Sequence, residues 1–452
     1  MAMEPTNDWT NAETRVERAH ELYERGRWLE AAAELRAAIE INPYNPSWHF
    51  NLALTLEALG DYKRACEAFS RALKLDANDV ETLNCLAVNL TRLGRYAEAL
   101  RQFQRIDELD PNYEPSYCNR IITYTEIGDH DKAEMIFYRA RQIKEECPQC
   151  YYNIAGSLYA RGQYDRAIYC WQQTIRLDPS HPYAHVRIAE ACWAKGDLAH
   201  AREYYEKEIQ SDRPADVETL LDFGELLMEL GDMDGAGDVF RKALAQAGDN
   251  PSVHFCLGEL LLRTGPKEQA EEHFSKVLEL DERYPAAHLK LAEALIHTGK
   301  IQEGAKHLIL ELRRSGHDHQ MLKEVGKLLL EANRGRQANL VLRRLVNLQP
   351  DDPQAQHNLA ISYFMMDQLP EGVRCCRRAL KLKPDYPQAL YNLALAHMRM
   401  GQMARARRYA ARAITVAPED ENLRRLSRRL GTKDFWTRLR GRLYLPSDKP
   451  RD

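Results

Sequence analysis

Nowhere in the 452 residues does an apolar run approach the roughly 20 residues that a bilayer-crossing helix needs. The stretch from Met1 to Glu13 lacks both the basic start and the apolar core of a secretory leader. Ten cysteines are too thinly spread for the disulfide framework of a small secreted domain, so a reducing cytoplasm is the expected setting. There is no Gly-rich phosphate loop ending in Lys, no H-E-x-x-H and no nucleophile elbow. Almost no residues remain outside the pattern described below, so neither a catalytic domain nor a cofactor nor a small-molecule substrate is expected.

The apolar share of 44% is ordinary for a folded chain and argues against general disorder. Charge is uneven. From Arg399 onward there are 15 Lys and Arg against 6 Asp and Glu, a surplus of nine, so with a net charge of −4 the remainder carries −13. An acidic body with a basic end points to separate electrostatic roles.

A pattern returns every 34 residues. Its easiest mark is a glycine followed five places on by a small residue: Gly26 with Ala31, Gly60 with Ala65, Gly94 with Ala99. It continues through Gly128, Gly162, Gly196, Gly231, Gly265, Gly299 and Gly401, with Asn333 and Asp367 at the two remaining registers. Such a residue closes a helix in the left-handed conformation, which Gly, Asn and Asp adopt most readily. All twelve partners five places on are Ala or Gly, which lets two helices approach closely. A second small position, eight residues into each repeat, holds Ala or Gly in all but one case, Ile121. Four places after the first small residue stand Phe69, Phe103, Phe137, Trp171, Tyr205, Phe240 and Phe274, on the same helical face. Proline closes repeats at Pro43, Pro111, Pro179, Pro350, Pro384 and Pro418.

In these residues the sequence resembles the tetratricopeptide repeat family over about nine tenths of its length. The resemblance implies an all-α fold: a right-handed α-solenoid of about twelve helix-turn-helix repeats. One helix pair cannot bury its apolar face alone, so neighbours must stack. The expected organisation is an N-terminal lead at 1–11, repeats one to six at 12–213, seven to nine at 214–316 and ten to twelve at 317–420. A capping helix follows at 421–431, then a basic tail at 432–452. The first break is expected where the spacing stretches to 35, near Arg213-Pro214. The second follows a worn ninth repeat with Glu311 at a usually small position and Arg314-Ser315-Gly316-His317 in place of its proline.

The resemblance also implies a concave groove lined by the first helix of each repeat and a role as an interaction scaffold. At the sixth position of that helix stand Asn51, Asn119, Asn153, Asn358 and Asn392, a ladder suited to holding the backbone of an extended peptide, because an amide both donates and accepts. Arg187, Asp222, Cys256, Lys290 and Glu324 interrupt it. The ninth position is apolar at Leu54, Val88 and Ile122, then acidic at Glu190, Glu225, Glu259 and Glu293. This row favours a basic partner segment or is simply a solvated face. Tyr159 and Trp193 begin an apolar strip at position twelve, which serves a partner or packing between repeats. The lysine-and-asparagine clamp that some members use for chaperone tails is absent: the relevant registers hold Cys118, Ile122, Asn153, Tyr183 and Arg187.

Leu423, Leu426 and Leu430 define one face of the capping helix, with Arg424, Arg425, Arg428 and Arg429 elsewhere. Beyond it Trp436, Arg438, Arg440 and Arg442 belong to an amphipathic segment. It suits packing on the last repeat or into an acidic groove, docking on an anionic membrane, or contact with nucleic acid phosphates. Cys147-Pro148-Gln149-Cys150 sits at a helix start, where a thiol is activated for redox chemistry. A tetrahedral zinc site would need two more ligands, and no second C-x-x-C supplies them. His317 and His319 form a short loop that reads as solvated.

Overall fold

A computed structural model describes the backbone of residues 6–211, 213–315 and 318–431, and among these residues every regular element is helical. There are twelve helix pairs and a final single helix. The chain divides into two compact blocks, Met1–Ala215 and Asp216–Asp452. In the first block the leading helices of the repeats run Thr6–Glu24, Pro46–Ala58, Val80–Arg92, Glu114–Ile127, Pro148–Ala160 and Ala184–Lys195. In the second they run Val217–Glu229, Pro251–Thr264, Ala287–His297, His319–Glu331, Pro353–Met365 and Pro387–Arg399. Each packs on its own second helix, on the second helix before it within the block, and in several repeats on the next leading helix. Near the expected second break, one apolar cluster includes Leu289 and Leu308 of repeat nine with Leu322 and Val325 of repeat ten. Gly316 and His317 lie outside the described residues.

The pairs are held by a large residue seated against a small one. Phe69, Phe103, Trp171, Tyr205, Phe240 and Phe274 are all essentially buried. Opposite them, a Cβ added to Gly224 would sit 2.1 Å from the Phe240 ring, and one added to Gly258 would sit 2.7 Å from Phe274. Those glycines are there because the ring occupies the volume that any side chain would need.

The turn inside each repeat is closed by backbone. Eleven of the twelve expected residues have positive φ, including Asn333 at 57° and Asp367 at 60°. The residue after each donates its N–H to the carbonyl five positions back, as Arg27 does to Leu22 and Asp61 to Leu56, both at 2.9 Å. Gly265 departs from the expectation, with φ −179°. The next residue is Pro266, which has no N–H to give and pushes its predecessor toward extended backbone. There the Gly265 N–H bonds the Leu261 carbonyl at 3.1 Å, and the Lys267 ammonium bonds the Leu262 carbonyl. The final helix, Glu421–Gly431, buries Leu423, Leu426 and Leu430 against the last pair, which caps the array.

Two features of the second block govern its response to substitution and pH. Ala286 precedes the leading helix of repeat nine at φ 59°, a region where a Cβ costs roughly 1 kcal/mol. Ala286→Gly should therefore raise stability by about 1 kcal/mol in chemical denaturation; a lower midpoint would contradict this. The second feature is a set of buried and half-buried histidines. His254 and His273 face each other through Nδ1 atoms 2.9 Å apart, and one repeat later His288 and His307 do the same at 2.9 Å. The Gly248 carbonyl accepts from His254 Nε2, so in the neutral pair His273 supplies the proton between the rings, and charging both rings would set N–H against N–H. Burial, then the neighbouring ring, lowers the pKa of His273 and of His307; burial likewise lowers His288 and takes His357 to about 4. These groups bind protons more tightly when unfolded. Their contribution is complete above about pH 6.5 and is lost as pH falls toward the folded values, His357 alone accounting for about 2 kcal/mol at pH 5. Thermal unfolding followed by circular dichroism should shift downward between pH 7 and pH 5, and less so in His357→Gln.

Candidate functional site

The leading helices present positions six, nine and twelve along each block, and the structure treats the three rows differently. Of the five asparagines, Asn51 is exposed, in an open cleft of ≈ 650 Å³ with Tyr23, Trp28, Leu54 and Thr55. Asn119 is half-buried and donates to Asn84 Oδ1 at 3.1 Å. Asn153 is buried, donating to the Cys118 carbonyl of the preceding repeat at 2.8 Å while accepting from Gln149 at 2.8 Å. Asn358 is buried, and Asn392 is fully so, with its amide 3.1 Å from His357 Nε2. Three of these amides, in Asn119, Asn153 and Asn392, thus join consecutive leading helices. A helix register alone did not carry that signal. The 34- or 35-residue separation between a polar residue and its neighbour in the next repeat would have.

The acidic row is surface. Glu190 lies in the first block and accepts from Arg187 at 2.8 Å. It stands beside Tyr159, whose hydroxyl is held above its ordinary range by burial and then by the Glu190 charge. Tyr159 is half-buried, its ring 5.4 Å from that of Tyr164 and 6.0 Å from that of Trp171, and Trp193 is half-buried as well. In the second block Glu225, Glu259 and Glu293 occupy successive leading helices, joined one repeat on by Glu324 at the sixth position. Lys290 stands among them, 2.9 Å from Glu259 and 3.8 Å from Glu293.

Three side chains report the field this row makes. Burial works against the Lys290 ammonium, yet the hydrogen bond to Glu259 and the charges of Glu259, Glu293 and Glu324 raise its pKa overall. The Cys256 thiol is pushed well up by burial, then by Glu225, Glu259 and Asp222. Tyr284 is raised by burial first, with Glu225 and Glu259 adding to it. One lysine against four carboxylates leaves the face negative.

At the far end Arg424, Arg425, Arg428 and Arg429 lie on the exposed side of the capping helix. Arg424 is engaged with Glu419 at 2.8 Å and Arg425 with Glu421 at 2.5 Å. Trp436, Arg438, Arg440 and Arg442 fall outside the described residues. Cys147 and Cys150 are buried, and the two further ligands that sequence spacing did not supply come from the preceding repeat: Cys118 and Glu114 reach the same pocket. Their signal was a pair of i, i+4 donors on one helix, one repeat before a C-x-x-C.

Models of the tetratricopeptide repeat match residues 16–80, 80–106 and 387–420, and a further repeat model matches 157–196 and 368–401. The model described as the C-terminal domain of cilia and flagella-associated protein 70 matches residues 180–383. No match was found among curated proteins. Among solved structures, the APC/C hetero-tetramer Cut9–Hcn1 is similar at 13% identity, over 93% of this chain and 96% of that one, with a TM-score of 0.44. Yeast Tom70 is similar at 16% identity, over 92% and 94%, with a TM-score of 0.39. YrrB, titled a TPR protein with an unusual peptide-binding site, is similar at 18% identity over 42% of this chain and 97% of that one, with a TM-score of 0.35.

The contrast among the asparagines is measurable. Asn392→Ala strips a buried partner from His357 and should cost about 1–3 kcal/mol of stability. Asn51→Ala, at an exposed site, should stay within about 0.5 kcal/mol. Equal effects in urea titrations would overturn the assignment of Asn392 to packing.

Proposed function

Because this chain belongs to the tetratricopeptide repeat family, a fold that serves generally as a protein-interaction scaffold, we propose that its second block holds a Lys- or Arg-rich protein segment on the face carrying Glu225, Glu259 and Glu293. The observation behind this reading is the placement of Glu225, Glu259 and Glu293 on successive leading helices with Lys290 paired between two of them, a charge row that adds to burial in raising Cys256 and Tyr284. Carboxylates repeated on successive leading helices meet an extended basic segment residue by residue, and long-range attraction speeds its encounter. Lys290 takes up part of the charge and so sets the register, since a basic partner avoids it.

In the first block the corresponding surface combines the Asn51 cleft with Tyr159, Glu190 and Trp193, a mixture suited to a segment with an aromatic or aliphatic anchor. Among the described residues no helix is long and apolar enough to cross a membrane.

The test is fluorescence anisotropy of the full chain with a labelled peptide alternating Lys and Ala. Replacing Glu225, Glu259 and Glu293 together by Gln should weaken binding about tenfold, and raising salt from about 0.05 M to 0.3 M should weaken the wild type more than the variant. Binding that survives the triple replacement at unchanged strength would move the contact off this face.

A further inference from the structure

The joint between the leading helices of repeats four and five departs from the rest of the array at four positions that converge. Glu114 opens the leading helix of repeat four and Cys118 follows one turn later, on the same face. Cys147 is the N-cap of the next leading helix and Cys150 lies in its first turn. Stacking of the two repeats brings one donor atom from each to within 4.8 Å of all the others. Cys118 Sγ stands 3.5 Å from Cys147 Sγ and 2.7 Å from Cys150 Sγ. The three cysteines are buried, and Glu114 is half-exposed at the mouth.

Packing alone does not account for this cluster. A thiol is a weak donor and a weak acceptor, so three of them around a carboxylate gain little from one another. The N-cap itself is telling. Asn45, Asp79, Asp216, Asn250, Asp318 and Asp352 cap the equivalent helices through a side-chain oxygen. At Cys147 a sulfur takes that place, accepting from the Cys150 N–H at 3.2 Å. A neutral thiol is a poor substitute for an oxygen there, whereas a thiolate accepts well.

We propose that Glu114, Cys118, Cys147 and Cys150 bind one zinc ion, which staples repeat four to repeat five. Zinc takes thiolate sulfur and carboxylate oxygen in one tetrahedron, whereas calcium and magnesium want oxygen throughout. With Zn–S near 2.3 Å, the sulfur–sulfur edges are about 3.8 Å. The Cys118–Cys147 edge is near that value already, and the Cys118–Cys150 edge reaches it by a side-chain rotation of about 1 Å. Three thiolates and a carboxylate leave the zinc-bound set at −2. Lys144, 3.0 Å from Glu114 Oε2, and the positive end of the Pro148–Ala160 helix offset that excess. Asn153 and Gln149 act as positioning residues, tying the Cys118 carbonyl to the helix that carries Cys150. On binding, the protons of the three thiols pass to solvent, and Glu114 binds as the carboxylate it already is.

The experiment uses the full chain, free of any histidine tag and purified without chelator. Metal content by mass spectrometry should give about one zinc per chain. Cobalt loaded in its place should produce the strong near-ultraviolet charge-transfer absorption of cobalt–thiolate bonds. Cys118→Ser should lower zinc affinity by at least about tenfold in competition with a chromogenic chelator, and Cys66→Ser, in another part of the block, should leave it unchanged. Wild-type protein carries the decision even where a cysteine variant misfolds. A wild type that retains no zinc and gives no cobalt–thiolate absorption overturns the proposal. So does a metal-free chain whose mass is two hydrogens lower through a bond between two of the three cysteines.

Discussion

The two helices of a repeat approach closely where an aromatic ring on the second meets a residue without bulk on the first. Phe240 against Gly224 and Phe274 against Gly258 leave no room for a methyl group. That contact sets the distance between the helices of a pair, and so the height at which the next pair can stack. The turn, the N-caps and the closing prolines bring the two surfaces together; the interlocking of ring and gap fixes how they meet. Since each repeat touches only its neighbours, an error in one pair propagates as an angle and not as a collapse of a shared core.

Most of this was legible in sequence because it is periodic. Gly, Asn or Asp at the turn, Ala or Gly five places on and an aromatic four beyond that recur in phase, and a misreading of one repeat is corrected by the next. Gly265 defeated the rule because the decisive atom belonged to its neighbour: the missing N–H of Pro266. The asparagines defeated it differently. Position six borders both open surface and the next leading helix, and which one wins depends on what stands a repeat away. Asn153 finds the Cys118 carbonyl and Asn392 finds His357, so both are drawn into the joint, whereas Asn51 stays in an open cleft. The cysteine cluster was illegible for a related reason: its members are near in the stack and far in the chain.

Charge distinguishes the surface of one block from that of the other. Most ion pairs of the first block join one repeat to itself or to the next across exposed surface, such as Arg92 with Glu57 and Lys195 with Asp165, where each contributes little. The acidic face of the second block is unlike these, because Glu225, Glu259, Glu293 and Glu324 outnumber the single Lys290 placed among them. Repulsion of that kind is tolerated in a fold whose stability comes from ring-and-gap packing on the other side of the same helices.

The turn of repeat eight has a property the other turns lack. Elsewhere the closing bond is between two peptide groups, whose donors are fixed by the backbone and indifferent to the medium. At Gly265-Pro266 the Gly265 N–H still reaches the Leu261 carbonyl at 3.1 Å, but the further bond that proline cannot give is answered by one from the ammonium of Lys267, at the end of four rotatable bonds, to Leu262. Its closure therefore carries an entropic cost that the peptide turns avoid, and its strength depends on dissolved ions. The other turns complete the same closure with a peptide N–H, so this is the turn whose second closing bond answers to the ions around it.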